Sequence, residues 1–244
     1  MLRAAEQSQA RAILHLAALQ VPFCKADPIG GALANVVGTV NVLEAARKLG
    51  IKRVAYASSI AAYAVFTDQA MPTLYGAYKH CNEQTARVYW SDWQVPSIGL
   101  RPGVVYGVGR DQGVSSKTTV AILAAAAGKP YTIPFRGAMS WLHAGEVANA
   151  FIKCVSHDQS GSHVFDINGV VSTVDHGVEI LKRVAPDAQI GIAPEVFKFP
   201  TNLSDQPLRA HLGDYGSVPL EVGIAKTYAA FRELLAKGKV SADS

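Results

Sequence analysis

The sequence predicts an α/β fold built on a doubly wound parallel sheet, and three observations carry that expectation. Apolar runs of strand length, residues 12–17 and 53–57, flank a long segment of helical periodicity. The second run ends in a serine pair, Ser58-Ser59, and open α/β sheets present their ligand-binding groups at strand carboxyl ends. Beyond it, Tyr75 and Lys79 stand four residues apart at the start of another helical pattern.

Residues 2–10 suit a short polar helix and residues 12–17 a strand covered on both faces. Asp27 and Pro28 open the next helix as N-cap and first-turn proline, and Gly50 closes it. Val36, Val40, Leu43 and Ala46 recur along it at helical spacing. The strand at 53–57 follows at once, and strand, helix, strand in that order demands a right-handed crossover between parallel strands. A loop over 60–74 carrying Asp68, Gln69 and Pro72 leads to a helix over 75–93. Pro96 introduces a strand over 97–101 that ends at Pro102-Gly103. Helices follow at 118–127, stopped by Gly128, and at 146–155, 174–184 and 221–237. Short strands fall at 131–133, 140–143 and 163–167. There is no internal repeat and no low-complexity tract.

A chain of 244 residues, 49% apolar and 17% charged, has the make-up of a soluble globular protein with one large domain or two coupled lobes. Its net charge of +4 is dispersed in small groups such as Arg47-Lys48 and Lys52-Arg53, so neither a nucleic-acid nor a membrane partner is expected. Cys24, Cys81 and Cys154 form no disulfide framework and no metal-ligand pattern, which suits reduced thiols in a cytosol. The first ten residues are too polar for a signal-peptide core. The apolar stretch Thr119 to Gly128 is about half the length of a membrane span. A cytoplasmic location is therefore expected.

The chemistry concentrates at Tyr75 and Lys79. On a helix, residues at i and i+4 share a face, so the phenol has an ammonium within reach. A phenol of pKa about 10 is a poor base at neutral pH, and a fixed positive charge favours its ionised form. Tyr78 is next to Lys79 in sequence but about 100° from it round the helix, and is the poorer candidate. Alone, the pair equally describes a half-buried tyrosine on an amphipathic helix. Its position after a strand that ends in Ser58-Ser59 favours chemistry.

Several ordered motifs carry a family likeness. They are HLAA ending at Ala17-Ala18, NVVGTVNVLEAAR from Asn35 to Arg47, YASSIAAY from Tyr56 to Tyr63, YGAYK from Tyr75 to Lys79, LRPGVVYG from Leu100 to Gly107 and WLHAGEVANAF from Trp141 to Phe151. In this series the chain resembles the extended short-chain dehydrogenases/reductases, the NAD-dependent epimerase/dehydratase family. The resemblance covers nearly the whole chain and thins after Asp166. It implies an N-terminally truncated Rossmann-like NAD(P)-binding domain over residues 1–165 and a small substrate-binding lobe over 166–244.

By the same resemblance, Tyr75 is the acid/base, Lys79 holds the nicotinamide ribose and lowers the pKa of Tyr75, and Ser59 orients the substrate oxygen with Ser58 beside it. Ala17, Ala18, Asn35, Ser58 and Gly103 match cofactor-lining positions, although ordinary packing explains each of these five equally well. The implied cofactor is NAD, with NADP open, and no metal is implied. The implied substrate is a small carbohydrate-derived molecule, and the implied assembly is a homodimer through the helices at 27–49 and 75–93.

The sequence also departs from the family. Ala62-Tyr63-Ala64 replaces the usual Val-Tyr-Gly, and Gly103-Val104 falls where an asparagine that contacts nucleotide sugars is common. The second departure argues against a typical UDP-sugar epimerase and for a smaller substrate such as a sugar acid or polyol. His143 and Glu146 fall where the family often has His and Asp, and they read as structural. No strand, glycine-rich turn and helix precede residue 12, and Gly30-Gly31 lies inside a helical pattern. A fragment, a mis-assigned start and a shortened protein all account for this. The expectation is weak dinucleotide binding, no better than about millimolar, and a bare sheet edge along residues 13–17. An NAD(P)-dependent enzyme and a non-catalytic scaffold both remain open.

Overall fold

The computed structural model describes residues 1–65 and 71–242; Asp68 and Gln69 of the expected loop lie outside them. The chain forms two compact units: residues 1–102, 148–167 and 203–215 in the first, and residues 103–147, 168–202 and 216–244 in the second. A single boundary at 165/166 does not divide them in this way. That cut would fall inside a strand, Ser162–Ile167, whose six residues all pair with a neighbour in the first unit.

In the first unit, α1 (Leu2–Gln7) leads to β1 (Ile13–His15), then to the short helices α2 (Val21–Ala26) and α3 (Pro28–Ala32). Asp27 caps α3 by accepting from the Gly30 amide at 2.9 Å. The helix continues through a π-helical turn, Leu33–Val37, into α4 (Gly38–Leu49), and Gly50 ends it at φ 64°. That left-handed conformation is open to glycine without a Cβ penalty. Then come β2 (Val54–Ala57), a 3-10 helix over Ile60–Val65, α5 (Leu74–Trp93) and β3 (Ser97–Pro102). Thr73 caps α5 by accepting from the Gly76 amide.

The second unit takes β4 (Val104–Tyr106), α6 (Lys117–Ala126), β5 (Tyr131–Ile133) and β6 (Ala138–His143). Helix α7 (Ala144–Cys154) begins in the second unit and ends in the first, where β7 (Ser162–Ile167) follows. The chain continues through β8 (Val170–Thr173), α8 (Val174–Val184), β9 (Ile190–Ile192), α9 (Gln206–Leu212) and α10 (Leu220–Ala236).

The first unit's sheet has the order β1-β2-β3-β7 and is parallel throughout. Its interior strands are nearly continuous in buried apolar residues, with Val54, Ala55, Ile98 and Leu100 at 0% exposure. Strands covered on both faces require this composition. Val42, Leu43 and Ala46 of α4 and Ala86 and Tyr89 of α5 close over Val54 and Tyr56. The whole helix Pro28–Leu49 is also long and apolar enough to cross a membrane by length and composition, a property shared by core helices; it exceeds in that respect the 119–128 stretch singled out from sequence.

In the second unit, β4 pairs parallel with β6, β6 pairs antiparallel with β8, and β5 pairs with β9. Helices α6, α8 and α10 supply its core with residues such as Ile122, Ile180, Leu181 and Phe231. Tyr106 and Trp141 meet edge to face at 5.5 Å. Gly177 is required there, since a Cβ would lie 2.4 Å from the Trp141 ring.

Most expected elements form within a few residues of their anticipated ends. The structure adds α2, β4, β8, β9 and α9. These are short pieces whose periodicity is too brief to register and whose conformation comes from their neighbours.

Among the described residues, β1 has one strand neighbour, β2, and it stands at the end of the sheet order. Leu14 is 40% exposed on it and Leu16, just past its end, 56%. An apolar strand edge of this kind templates association. The 244-residue chain is therefore expected to show concentration-dependent light scattering, and Leu14→Lys is expected to reduce it without lowering the unfolding free energy measured in urea by more than about 1 kcal/mol. Equal scattering by parent and variant would clear this edge.

Candidate active site

The parallel sheet directs the carboxyl ends of β1, β2 and β3 to one edge, and the chemistry-bearing residues gather at the end of β2. Ala57 closes the strand, and Ser58 and Ser59 follow it. The Ser59 hydroxyl accepts from the Ala61 amide at 3.1 Å, which starts the 3-10 helix. The first turn of α5 packs on that helix. A Cβ at Gly76 would lie 2.4 Å from the Ala61 carbonyl oxygen, so the residue after Tyr75 must be very small for the approach to occur. Ser59 and Tyr75 are thus borne by elements in direct contact, and both are half-buried.

Lys79, one turn further along α5, is buried at 3% exposure. Its Nζ donates to the Ala57 carbonyl at 2.5 Å and lies 5.5 Å from the centroid of the Tyr75 ring. Burial lowers its pKa to about 8, against the opposing influence of Cys24 and Glu83. The expected pairing of phenol and ammonium is therefore present as a geometric fact.

Asn35 occupies the π-helical turn, a rare conformation that concentrates at functional sites. Its side-chain amide donates to the Leu19 and Gly31 carbonyls, each at 3.0 Å, and to Cys24 Sγ at 3.3 Å. Its own carbonyl accepts from Thr39 at 2.7 Å and from Asn82 at 2.9 Å. Asn35 therefore fastens the segment after β1 to α5. Its Oδ1 is buried without a hydrogen-bond partner, a costly state that an incoming donor would relieve.

His15, at the end of β1, meets the Thr39 hydroxyl at 3.1 Å. That hydroxyl already gives its proton to Asn35, so His15 Nε2 is the donor. Burial, then the Lys79 charge, lowers the His15 pKa and keeps the ring neutral. Ala17 is exposed and Ala18 half-buried in the segment that leaves β1. Gly103 opens the second unit, where a Cβ would meet Ser140 Oγ at 2.5 Å, so its smallness is explained by packing there.

Sequence reasoning passed over a buried polar chain behind the serines. Ser58 Oγ donates to Glu83 Oε1. Arg101, in β3, grips both Glu83 oxygens through Nε at 2.7 Å and Nη2 at 2.6 Å. Its guanidinium sits 4.7 Å from the Tyr63 ring centroid, and Tyr63 donates to Asp166 at 2.7 Å. The available signal was the spacing of Glu83, a further four residues after Lys79. His143 and Glu146 meet as the structural reading expects: Glu146 accepts from the amides of His143 at 3.0 Å and Val218 at 2.8 Å.

The model of the NAD-dependent epimerase/dehydratase family matches residues 1–168. The chain belongs to the NAD-dependent epimerase/dehydratase family. A UDP-glucose 4-epimerase of Mycolicibacterium smegmatis is 30% identical over 90% of this chain and 75% of its own length. Protein CapI of Staphylococcus aureus is 36% identical over 37% of this chain, a match that takes in 30% of CapI. Among solved structures, a partial-consensus L-threonine 3-dehydrogenase superposes at a TM-score of 0.84 with 22% identity, covering 95% of this chain and 82% of that one. A UDP-glucose 4-epimerase of Thermotoga maritima, solved with UDP-glucose, gives 0.83 at 20% identity over 96% and 81%. These likenesses establish the Rossmann-like parallel α/β fold.

The buried ammonium of this family member has a thermodynamic signature. The folded-state pKa of Lys79 is depressed, so between about pH 8 and the usual lysine value the unfolded chain binds more protons. Stability from this group is lowest below pH 8 and recovers as pH rises through that window. Lys79→Met is expected to raise stability at pH 7 by up to about 3 kcal/mol. That difference should shrink toward pH 10, as read from urea midpoints of parent and variant. A difference independent of pH would exclude a depressed Lys79.

Proposed function

We propose that this chain is an NAD(P)-dependent oxidoreductase or epimerase whose Tyr75 exchanges a proton with a hydroxyl or carbonyl of a small carbohydrate-derived substrate. The observation that carries the reading is the Lys79 ammonium, buried at the end of β2 and set against the ring of Tyr75. In the oxidative direction the Tyr75 phenolate takes the hydroxyl proton, and Lys79 stabilises the phenolate. The Ser59 hydroxyl donates to the substrate oxygen and holds it toward Tyr75. A bound nicotinamide supplies the acceptor for the hydride leaving the carbinol carbon.

The nicotinamide end of such a cofactor fits the residues present. Lys79 and the unsatisfied Asn35 Oδ1 offer polar groups, and Ala17, Ala18 and Ser58 line the strand ends. Gly30 and Gly31 do not provide the pyrophosphate cradle. Gly30 is pressed against its own cap, Asp27, and a Cβ at Gly31 would meet Cys24 at 3.1 Å. That observation favours a second reading, a scaffold that binds no dinucleotide by itself. Calorimetric titration with NAD and NADP separates the two. Micromolar binding supports the enzyme reading, and binding no tighter than millimolar by the chain, with recovery on adding an N-terminal strand, glycine-rich turn and helix, supports the scaffold.

In a dinucleotide-binding form, Tyr75→Phe is expected to reduce turnover by a factor of about 1,000 or more while cofactor affinity stays within a few fold. Nicotinamide absorbance and fluorescence titration measure the two quantities. Turnover within a few fold of the parent would remove Tyr75 from the proton-transfer role.

The reading includes a cytoplasmic homodimer. The three cysteines are free thiols, as a reducing compartment requires. Ile29, Leu33 and Val37, spaced by four along the helix Pro28–Leu49, are 75%, 58% and 44% exposed, and Val88 and Trp93 of α5 are 50% and 48% exposed. Helical stripes of this kind pair across two-fold axes. Sedimentation is expected to show a dimer at micromolar concentration, and Leu33→Glu is expected to dissociate it. A monodisperse monomer in the parent would refute this surface assignment.

A further inference from the structure

Tyr75, Lys79 and Glu83 lie four residues apart on α5 and so mark one face of the helix. Lys79 and Glu83 are each 3% exposed. They hold consecutive residues of the strand end: Lys79 Nζ takes the carbonyl of Ala57, and Glu83 takes the hydroxyl of Ser58. Ser59 follows directly. Glu83 is held in turn by the two-pronged grip of Arg101 on the neighbouring strand, where Ala57 and Leu100 are register partners. One carboxylate therefore ties together the end of β2, the end of β3 and the helix that bears the phenol.

We infer that Glu83 is a positioning residue of this site: it locks the end of β2 to the α5 face carrying Tyr75 and Lys79, and its carboxylate is the counter-charge of the buried Lys79 ammonium. The inference rests on the proton-transfer reading of Tyr75 and Lys79, and it adds a residue to the machinery that reading requires. A buried carboxylate is expensive unless paired, and packed apolar side chains hold helix to strand at no such cost. Glu83 is paired with Arg101, and its charge also acts on a second group.

The surroundings of Lys79 identify that group. His15 faces it from β1, Cys24 from α2, and Tyr75 and Glu83 from its own helix. His80 Nδ1 lies 3.7 Å from Glu83, and Arg101 Nη2 lies 2.6 Å from the same carboxylate. Burial pushes the Cys24 thiol up and the His15 imidazole down, so both are neutral near pH 7. Cys24 and Glu83 are the neighbours that favour the charged form of Lys79, and Glu83 is the carboxylate of the two. Without it, burial acts on Lys79 with less to oppose it, and the ammonium that favours ionised Tyr75 is lost at a lower pH.

The test uses the intact chain labelled with 13Cε-lysine, the Lys79 resonance being assigned by Lys79→Arg. Glu83→Gln is expected to lower the Lys79 titration midpoint by about one pH unit. Tyr75→Phe should leave that midpoint within a few tenths of the parent value. Because Glu83→Gln strands the Arg101 guanidinium, the double variant Glu83→Met with Arg101→Met serves as its partner: it removes both members of the pair, a change buried ion pairs commonly tolerate. The same downward shift in the double variant supports the inference. An unmoved midpoint overturns it, and so does loss of the folded state in the double variant, which would make the pair purely structural. The readout needs neither substrate nor turnover. Full activity in Tyr75→Phe would therefore sink the proton-transfer reading alone, and an unmoved Lys79 would sink the role of Glu83 alone.

Discussion

The site depends on how a buried ammonium is held at the end of a buried strand. Lys79 has left water almost completely, and the Ala57 carbonyl and the neighbouring acidic side chain replace part of the solvation it loses. A cation in that setting is destabilising for the fold, and it sets a positive charge against the ring of Tyr75. Stability is given up at the position where electrostatic pre-organisation is worth having, as is common where chemistry is done.

Around that charge the first unit is organised in two layers of polar contact. The inner layer, Ser59, Tyr75 and Lys79, faces the edge of the sheet where strand carboxyl ends gather. The outer layer, Ser58, Glu83, Arg101, Tyr63 and Asp166, fixes the inner one through hydrogen bonds and ion pairs among buried and half-buried groups. Asn35 plays a comparable part on the other flank, where one residue in a π-helical turn links the segment after β1 to α5. Glycines make both arrangements possible by allowing backbone contact, Gly76 against Ala61 and Gly31 against Cys24.

The exposed side of β1 is the counterpart of this order. Family members hold a dinucleotide with a glycine-rich turn between a strand and a helix, and neither Gly30 nor Gly31 can serve as that turn, since both are committed to packing against Asp27 and Cys24. The chain thus combines a densely hydrogen-bonded corner around Lys79 with a strand, β1, whose far side meets no other strand among the described residues.

Local sequence determined the repeating elements and the corner itself. Apolar runs, the Asp27-Pro28 start, the Gly50 and Gly128 stops and the four-residue step from Tyr75 to Lys79 are properties of neighbouring residues, and backbone sterics with helical periodicity translate them directly into structure. Tertiary structure decided what depends on residues distant in sequence. Arg101 meets Glu83 only because β2 and β3 are adjacent and parallel, and Tyr63 meets Asp166 across the same sheet. The make-up of the units was settled in the same way, since β7 joins β3 by a ladder that no local pattern encodes. The short strands β4, β8 and β9 are extended because a partner strand satisfies their backbone groups, and that partner is chosen by the folded chain.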